Sequence, residues 1–183
     1  PACGGLKLGP FGTGTERVEE TVRDTFPGVR VARLDRDVVQ KKGVLEETLA
    51  LFRTGEIDIL VGTQMVAKGL DFPHVTVVGV IAADISLNIP DFRASERTFQ
   101  LLSQVAGRAG RGTRPGEVVI QTLNPTNDAI TKAQNHDFHG YYERELAVRK
   151  DAGYPPFCKL VNVVFTGPNL ADVTSLANAA VMD

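Results

Sequence analysis

Two arginines spaced by small residues stand behind a helical run, in the segment Gln104 to Arg111. Arg108 and Arg111 are three residues apart, so both guanidinium groups can face one side. Gly107 and Gly110 bring no side chain to places where a large anion would approach the backbone. Arginine binds phosphate oxygens through a planar, bidentate fork. The segment therefore predicts a grip for nucleotide phosphates. The alternative is a solvated basic helix end, because glycine commonly ends a helix.

A second polar segment follows the apolar, β-branched run at residues 57–62, which is typical of a buried parallel strand. In a doubly wound sheet, ligands bind outside the carboxyl ends of the strands, where this segment is expected. Thr63 can donate its hydroxyl to a phosphate, and Gly69 permits a close approach of the backbone. Asp71 can accept a hydrogen bond from a ribose hydroxyl. The segment has the chemistry for a nucleotide or a nucleic-acid backbone.

Strands and helices that alternate along the chain must position these two segments. Hydrophobic periodicity predicts helices near 15–26, 44–54, 95–105, 128–134, 138–150 and 170–182, and strands near 29–34, 57–61, 75–82, 117–123 and 160–165. Thr15 and Ser95 are predicted to cap the helices that they begin. The alternation predicts an α/β fold with a doubly wound parallel sheet and helices on both faces.

The domain organisation is predicted from the chain length and from one run of residues that interrupt helices and strands. The 183 residues are 43% apolar and 23% charged, as in an ordinary globular protein. The break at residues 153–156, Gly-Tyr-Pro-Pro, predicts a boundary. We expect residues 15–153 to form the main domain and residues 154–183 to begin a truncated α+β segment, after a short leading segment at 1–14.

Charge and hydropathy exclude some classes of protein. The net charge of -2 does not indicate a nucleic-acid binder, but local charge matters more than the total. Five arginines crowd into one stretch: Arg93, Arg97, Arg108, Arg111 and Arg114. No apolar run is long enough to span a membrane and no secretory leader opens the chain, so we expect a cytoplasmic protein without a membrane partner.

Cys3 and Cys158 suggest no disulfide framework, and Cys158 is expected to be buried.

Several other positions have two interpretations. Asp35, Arg36 and Asp37 follow a predicted strand on the ligand side, and either contact a ligand or form an ordinary charged strand end. Phe92 and Phe99 favour core positions over platforms for base stacking. Glu96 and Arg97 fit a solvated helix face. The three histidines, His74, His136 and His139, have no metal-ligand spacing to Cys3 and are expected at the surface.

The two polar segments together resemble the last two signature motifs of superfamily 2 helicases. The wider sequence is similar to the PriA-type primosomal helicases, through six blocks that occur in one order. These blocks are residues 12–16 (GTGTE), 33–37 (RLDRD), 62–73 (GTQMVAKGLDFP), 91–97 (DFRASER), 104–111 (QVAGRAGR) and 154–157 (YPPF).

The resemblance implies the second of two RecA-like lobes that hydrolyse ATP between them. Arg111 is then the arginine finger, with Arg108 supporting the phosphates and Gln104 coupling the nucleotide to the motor cycle. Gly69 and Asp71 would face the nucleotide; Thr63, Gln64 and Lys68 form the DNA-binding group. The chain has no P-loop. ATP and Mg²⁺ would therefore be held mainly by the first lobe, and the chain alone is expected to be inactive.

The resemblance also implies that residues 1–14 are the tail of a zinc-binding insertion, and that the whole protein has DNA and protein partners. Cys3 lies in a segment similar to the second half of a Cys-Pro-x-Cys-Gly zinc knuckle, but one cysteine cannot hold a Zn²⁺ that needs four ligands. The whole protein would unwind DNA 3′ to 5′, restart stalled forks and load the primosome. Its partners would be single-stranded and forked DNA, single-stranded DNA-binding protein and primosome components. Two alternatives remain: the second lobe of a RecG-like branch-migrating helicase, and a RecA-like binding module without catalysis.

Overall fold

The structure is a computed structural model, and it describes residues 14–35, 38, 43–63, 72, 74–107 and 116–182. Eleven elements lie in these ranges. They are α1 (Thr15–Thr25), β1 (Val31–Leu34), α2 (Val44–Thr54), β2 (Ile59–Gly62), β3 (Val77–Val80), α3 (Asp84–Leu87), α4 (Ala94–Ala106), β4 (Glu117–Ile120), α5 (Asp128–Gln134), α6 (Phe138–Asp151) and α7 (Leu170–Met182). The predicted α/β class is confirmed, and the short helix α3 is an addition that the periodicity did not indicate.

The described strands form two parallel pairs. Strand β1 pairs with β2, with Val31 opposite Ile59 and Leu34 opposite Gly62. Strand β3 pairs with β4, with Val77 opposite Glu117 and Val80 opposite Ile120. Parallel pairing needs a crossover connection, and helices between the strands supply it as expected. In each pair, the loops that follow both strands leave from the same end.

The hydrophobic core lies where α4, α5 and α6 meet β3 and β4. Phe99 and Leu102 of α4 are buried against Ala129, Ile130 and Ala133 of α5. The alanines let the two helices approach closely because their side chains end at Cβ. The predicted core position of Phe99 is confirmed, since only 3% of it is exposed.

An aromatic stack fastens α6 to this core. The rings of Phe99 and Tyr141 lie almost parallel, with centroids 4.0 Å apart. The Tyr141 hydroxyl lies 2.9 Å from the Ser95 hydroxyl, which gives the buried phenol a hydrogen-bond partner. Helix α4 is thereby held at its first turn and at its centre.

Two predicted helix caps are wrong by one or two residues. Gly14 is the N-cap of α1, and the Thr15 hydroxyl donates instead to Asp35, at 2.8 Å. Arg93 is the N-cap of α4, and Ser95 lies inside the helix with its hydroxyl beside Tyr141. Both hydroxyl groups are engaged by tertiary partners that local sequence does not reveal.

The chain separates into two compact units, the first ending at Arg144 and the second beginning at Glu145. The second unit contains the rest of α6, then residues 152–169, then α7. The strand predicted at 160–165 is wrong: this stretch has no regular structure, and Val161 and Val164 are 82% and 71% exposed. A strand needs a neighbouring strand to satisfy its backbone, and residues 145–182 supply none.

Cys158 also differs from its prediction. It is half-buried rather than buried, and its thiol donates to the carbonyl oxygen of Gly153 at 2.8 Å. The sparse packing of the second unit explains why this small apolar residue remains partly accessible.

The core role of α4 is tested by truncating Leu102, which is 1% exposed. We expect Leu102→Ala to lower the free energy of unfolding by about 2–5 kcal/mol, because it removes buried methyl groups and leaves a cavity. Leu123→Ala is the matched control, since Leu123 is 80% exposed in the same unit, and should change stability by less than about 0.5 kcal/mol. Urea denaturation followed by circular dichroism measures both. Equal losses would contradict this description of the core.

Candidate functional site

The carboxyl ends of β1 and β2 bring two predicted residues to one edge. Because Leu34 is opposite Gly62, Asp35 and Thr63 follow neighbouring strands at the same end. Thr63 is exposed, directly after β2, as a residue that contacts a ligand must be. Asp35 is only 8% exposed. The two residues are therefore adjacent in the strand register but differ in their access to solvent.

Asp35 is engaged inside the protein. Its carboxylate accepts hydrogen bonds from the Thr15 hydroxyl and from the Val38 backbone N–H, at 2.8 and 3.0 Å. The Arg33 guanidinium lies 2.9 Å from the same carboxylate and also contacts Glu16, at 3.0 Å. These contacts tie α1 to the end of β1. For Asp35 the ordinary strand-end interpretation is therefore favoured; Arg36 and Asp37 lie outside the described residues.

Gln104 is the next predicted site residue that the structure describes, and it is half-buried in the last turn of α4. Gly107 caps this helix with φ -75°, which any residue can adopt. A Cβ added at Gly107 would lie 3.6 Å from the Ser103 carbonyl oxygen, an ordinary contact. Neither conformation nor space within the described chain requires glycine at this position. The absence of a side chain fits a ligand that approaches from outside.

A buried hydroxyl next to Gln104 was not indicated by the sequence. The Ser103 Oγ is buried and has no hydrogen-bond partner among the described residues. It lies one helical turn before Gly107. A serine in mid-helix carries no signal that could have singled it out, because its burial depends on packing by distant segments.

Most of the other predicted site residues lie outside the described residues. They are Cys3, Gln64, Lys68, Gly69, Asp71, Arg108 and Arg111. The segment that contains Gly69 and Asp71 is followed by Phe72, whose ring packs edge-on against Phe52 of α2 at 4.9 Å. This contact fixes one end of the connection that begins at Thr63.

The carboxyl ends of β3 and β4 are joined by a carboxylate that the sequence did not single out. Asp84, which is 6% exposed, accepts hydrogen bonds from the Thr122 hydroxyl and the Leu123 backbone N–H, both at 2.9 Å. These bonds, with the Leu123 N–H first, hold the pKa of Asp84 below its ordinary value. An ionised Asp84 thus fixes the start of α3 to the chain that leaves β4.

A strained backbone accompanies this carboxylate. Ala82 has φ 51°, in the left-handed region that residues with a Cβ rarely adopt. Its N–H is bound by the Gln121 side chain at 3.2 Å, and the Ala83 N–H by the Gln121 carbonyl at 3.1 Å. The strain lies at the edge where α/β proteins bind ligands, and strained residues cluster at such sites.

Other positions agree with their sequence interpretations. His74, His136 and His139 are exposed, as predicted. Within the described ranges no three His, Cys, Asp or Glu side chains are grouped to hold a metal ion. None of the helices described is long and apolar enough to cross a membrane. These observations assign no ligand to the site by themselves.

Comparison with known proteins identifies the family. The helicase conserved C-terminal domain matches residues 10–113, more than half of the chain. The chain belongs to this family. The match includes β1, β2, β3 and α4 together with both polar segments, so these parts of the site lie within the helicase C-terminal domain. The predicted RecA-like fold is thereby confirmed.

Individual relatives show which helicases the chain is similar to. The chain is 48% identical over 171 residues to the replication restart protein PriA of Bacillus subtilis, across 93% of this chain and 21% of that protein. It is 44% identical over 179 residues to the PriA protein of Synechocystis, across 98% of this chain and 22% of that protein. The PriA protein of Treponema pallidum is 44% identical over 180 residues, across 98% and 27%.

The predicted similarity to PriA-type helicases is confirmed, and the chain spans only about a fifth to a quarter of these relatives. The identities extend past residue 113, which ends the domain match, since the alignments cover nearly the whole chain. The helicase C-terminal domain and the second unit therefore both take part in the similarity.

The pKa of Asp84 predicts a specific dependence of stability on pH. A carboxyl group whose folded pKa is lowered stabilises the fold above its ordinary value of 3.8, and this contribution is lost as the pH falls through the folded value. We therefore expect Asp84→Asn to lower the urea midpoint at pH 7, and the gap from wild type to narrow below about pH 4. Urea denaturation at pH 7, 5, 4 and 3 measures the gap.

The control for this experiment is Asp24→Asn, because Asp24 is exposed on α1. It removes one carboxylate without touching the end of β4. A gap between Asp84→Asn and wild type that stays constant from pH 7 to pH 3 would contradict the ionised tether.

Proposed function

We propose that this chain is the second motor lobe of an ATP-dependent DNA helicase that moves 3′ to 5′, restarts stalled replication forks and loads the primosome. Membership of the helicase C-terminal domain family supports the motor role, and similarity to replication restart proteins over 93% to 98% of the chain supports the biological one. This similarity favours a PriA-type lobe over a RecG-like lobe. The unwinding activity belongs to a protein longer than this segment.

The DNA side of the proposed site is built from Thr63, Gln64 and Lys68. The exposed place of Thr63 at the carboxyl end of β2 supports its role, because a hydroxyl there can donate to a backbone phosphate. Phosphate contacts position the strand and carry no sequence information, which suits a helicase that must move along any sequence.

The nucleotide side is built around the end of α4. Arg111 stabilises charge on the transferring phosphoryl group, Arg108 supports the phosphates, and Gln104 couples the nucleotide to the motor. Gly69 and Asp71 complete the surface from the segment after β2. Gly107 supports this arrangement, since it brings no side chain to the end of α4 that the phosphates would approach. ATP supplies the phosphoryl group whose transfer drives the motor.

The metal ions belong to the longer protein. A sequence without a P-loop lacks the serine or threonine that binds Mg²⁺ in such motors, and the first lobe would provide it. Cys3 would be one of four Zn²⁺ ligands of a knuckle completed by preceding residues. Single-stranded and forked DNA, single-stranded DNA-binding protein and primosome components are the proposed partners, in the cytoplasm.

This proposal predicts that the chain purified alone hydrolyses no ATP above background, with or without single-stranded DNA. Half of the cleft can bind a nucleotide weakly but cannot complete the phosphoryl-transfer site. A steady-state phosphate-release assay tests this, with the full-length protein as the positive control. DNA-stimulated turnover by the isolated chain would sink the two-lobe assignment.

In the full-length protein, Arg111→Ala should reduce turnover by roughly 10³- to 10⁵-fold, the range known for arginine fingers. The affinity for ATP should change little, because the finger acts mainly on charge that develops in the transition state. Lysine should rescue poorly, since a point charge cannot reproduce the planar fork. Steady-state ATPase assays with single-stranded DNA, and nucleotide binding by titration, measure the two effects.

Arg144→Ala is the matched control, because the Arg144 side chain is 64% exposed and its Nε lies 3.0 Å from the exposed Asp128 carboxylate of α5. It should leave turnover near the wild-type rate. If Arg111→Ala behaves like this control, Arg111 has no catalytic role and its segment is a solvated helix end.

A further inference from the structure

A second pair of arginines is organised by one carboxylate at the other end of α4. Asp91 Oδ1 accepts hydrogen bonds from the Arg93 backbone N–H and Nε, at 2.9 and 3.1 Å. Asp91 Oδ2 accepts from Arg93 Nη2 and from Arg97 Nη1, at 3.1 and 3.0 Å. The Arg93 guanidinium also lies over the Phe92 ring, 5.3 Å from its centroid. We call Asp91, Arg93 and Arg97 the arginine clamp.

The arginine clamp carries a fixed excess of positive charge. Two guanidinium groups share one carboxylate, and the hydrogen bonds from Arg93 lower the pKa of Asp91 to about 2, so the three side chains together bear one net positive charge at neutral pH. Asp91 is only 19% exposed, whereas the Arg93 and Arg97 side chains are 51% and 54% exposed. The carboxylate is thus covered, and the cations face solvent.

The arginine clamp is pre-organised for an anionic ligand. A free arginine loses side-chain entropy when it binds, and contacts that already fix the side chain reduce this loss. Asp91 engages two of the five N–H donors of Arg93 and one of those of Arg97. Both guanidinium groups are about half exposed and so remain accessible to phosphate oxygens, with which arginine forms charge-assisted hydrogen bonds.

The position of the arginine clamp separates it from the proposed nucleotide site. Helix α4 has 13 residues, so its two ends lie about 20 Å apart. Gln104 and Gly107 stand at the far end, and one nucleotide cannot reach both. The arginine clamp follows α3 in the chain, and the first residue of α3, Asp84, is bound to Leu123 just beyond the carboxyl end of β4, the edge where ligands bind in this class of sheet.

We propose that Arg93 and Arg97, ordered by Asp91, bind two phosphates of the single-stranded DNA backbone, as a contact separate from Thr63. This inference rests on the proposed function, because it assumes that the lobe holds DNA. Such phosphate contacts are independent of the DNA sequence, and they add affinity for DNA that falls as the salt concentration rises. The apolar rim next to it, Ile85 and Ile89, is 40% and 50% exposed and offers a surface for the sugars.

The test is the salt dependence of DNA binding by the full-length protein. Fluorescence anisotropy of labelled oligothymidylate is measured from low to high NaCl for wild type and for Arg93→Ala/Arg97→Ala. Each lost phosphate contact makes the slope of log K against log salt less steep by about 0.7 for single strands. We expect the double variant to lose about 1.4 from the slope and to bind roughly 10- to 30-fold more weakly at 0.1 M NaCl.

The matched control is Arg30→Ala. Arg30 forms the same kind of exposed fork with Asp58, at 2.6 and 2.8 Å, but it lies at the amino end of β1, away from the ligand side. This variant should keep the wild-type slope. Arg93→Lys/Arg97→Lys should also keep the slope, since charge is retained, and lose several-fold in affinity, since the fork is lost. Circular dichroism confirms that each variant is folded.

The outcomes distinguish this inference from the proposed function. If wild type binds DNA and the double alanine variant has the slope and affinity of Arg30→Ala, the DNA contact is refuted, and an acidic protein surface becomes the ligand to test. If wild type does not bind single-stranded DNA at any salt concentration, the proposed function itself fails. A reduced slope that is confined to the double alanine variant supports the DNA contact.

Discussion

The packing of α4 against α5 and α6 is the interaction on which the rest of the chain depends. Phe99 and Leu102 are almost completely buried, and Ala129 and Ala133 let α5 lie close to them. The stacked ring of Tyr141 closes the remaining side. Because α4 carries the arginine clamp at one end and the predicted arginine motif follows the other end in the sequence, this single buried face sets the place of the arginine clamp and of the helix end from which the motif begins.

The sequence predicts the elements well because their signals are local. Alternation of β-branched strands and amphipathic helices placed ten of the eleven described elements to within about three residues. It failed where the outcome depends on distant partners. Thr15 and Ser95 have the chemistry of helix caps, yet Asp35 and Tyr141 engage their hydroxyls. Residues 160–165 have strand composition, but a strand exists only beside another strand.

The site residues also fall into two groups, those that the sequence predicted and those that only the structure revealed. Motif spacing selected Thr63 and Gln104, which the fold places at a strand end and at a helix end, and the comparisons support the family that the motifs indicate. Motif spacing did not select Asp84, because its partners Thr122 and Leu123 lie 38 and 39 residues away along the chain. The sequence placed Arg97 on a solvated helix face. Its hydrogen bond to Asp91, which also binds Arg93, is visible only in the folded structure.

The backbone dipole of helix α4 also affects how its two ends bind anions. Aligned peptide dipoles place roughly half a positive charge at the amino end of a helix and half a negative charge at its carboxyl end. A phosphate beside Arg93 is therefore favoured by the helix itself, whereas a phosphate beyond Gly107 is opposed by it. The two ends need different numbers of cations to hold the same anion. The sequence agrees: two arginines stand at the amino end, and three, Arg108, Arg111 and Arg114, follow the carboxyl end.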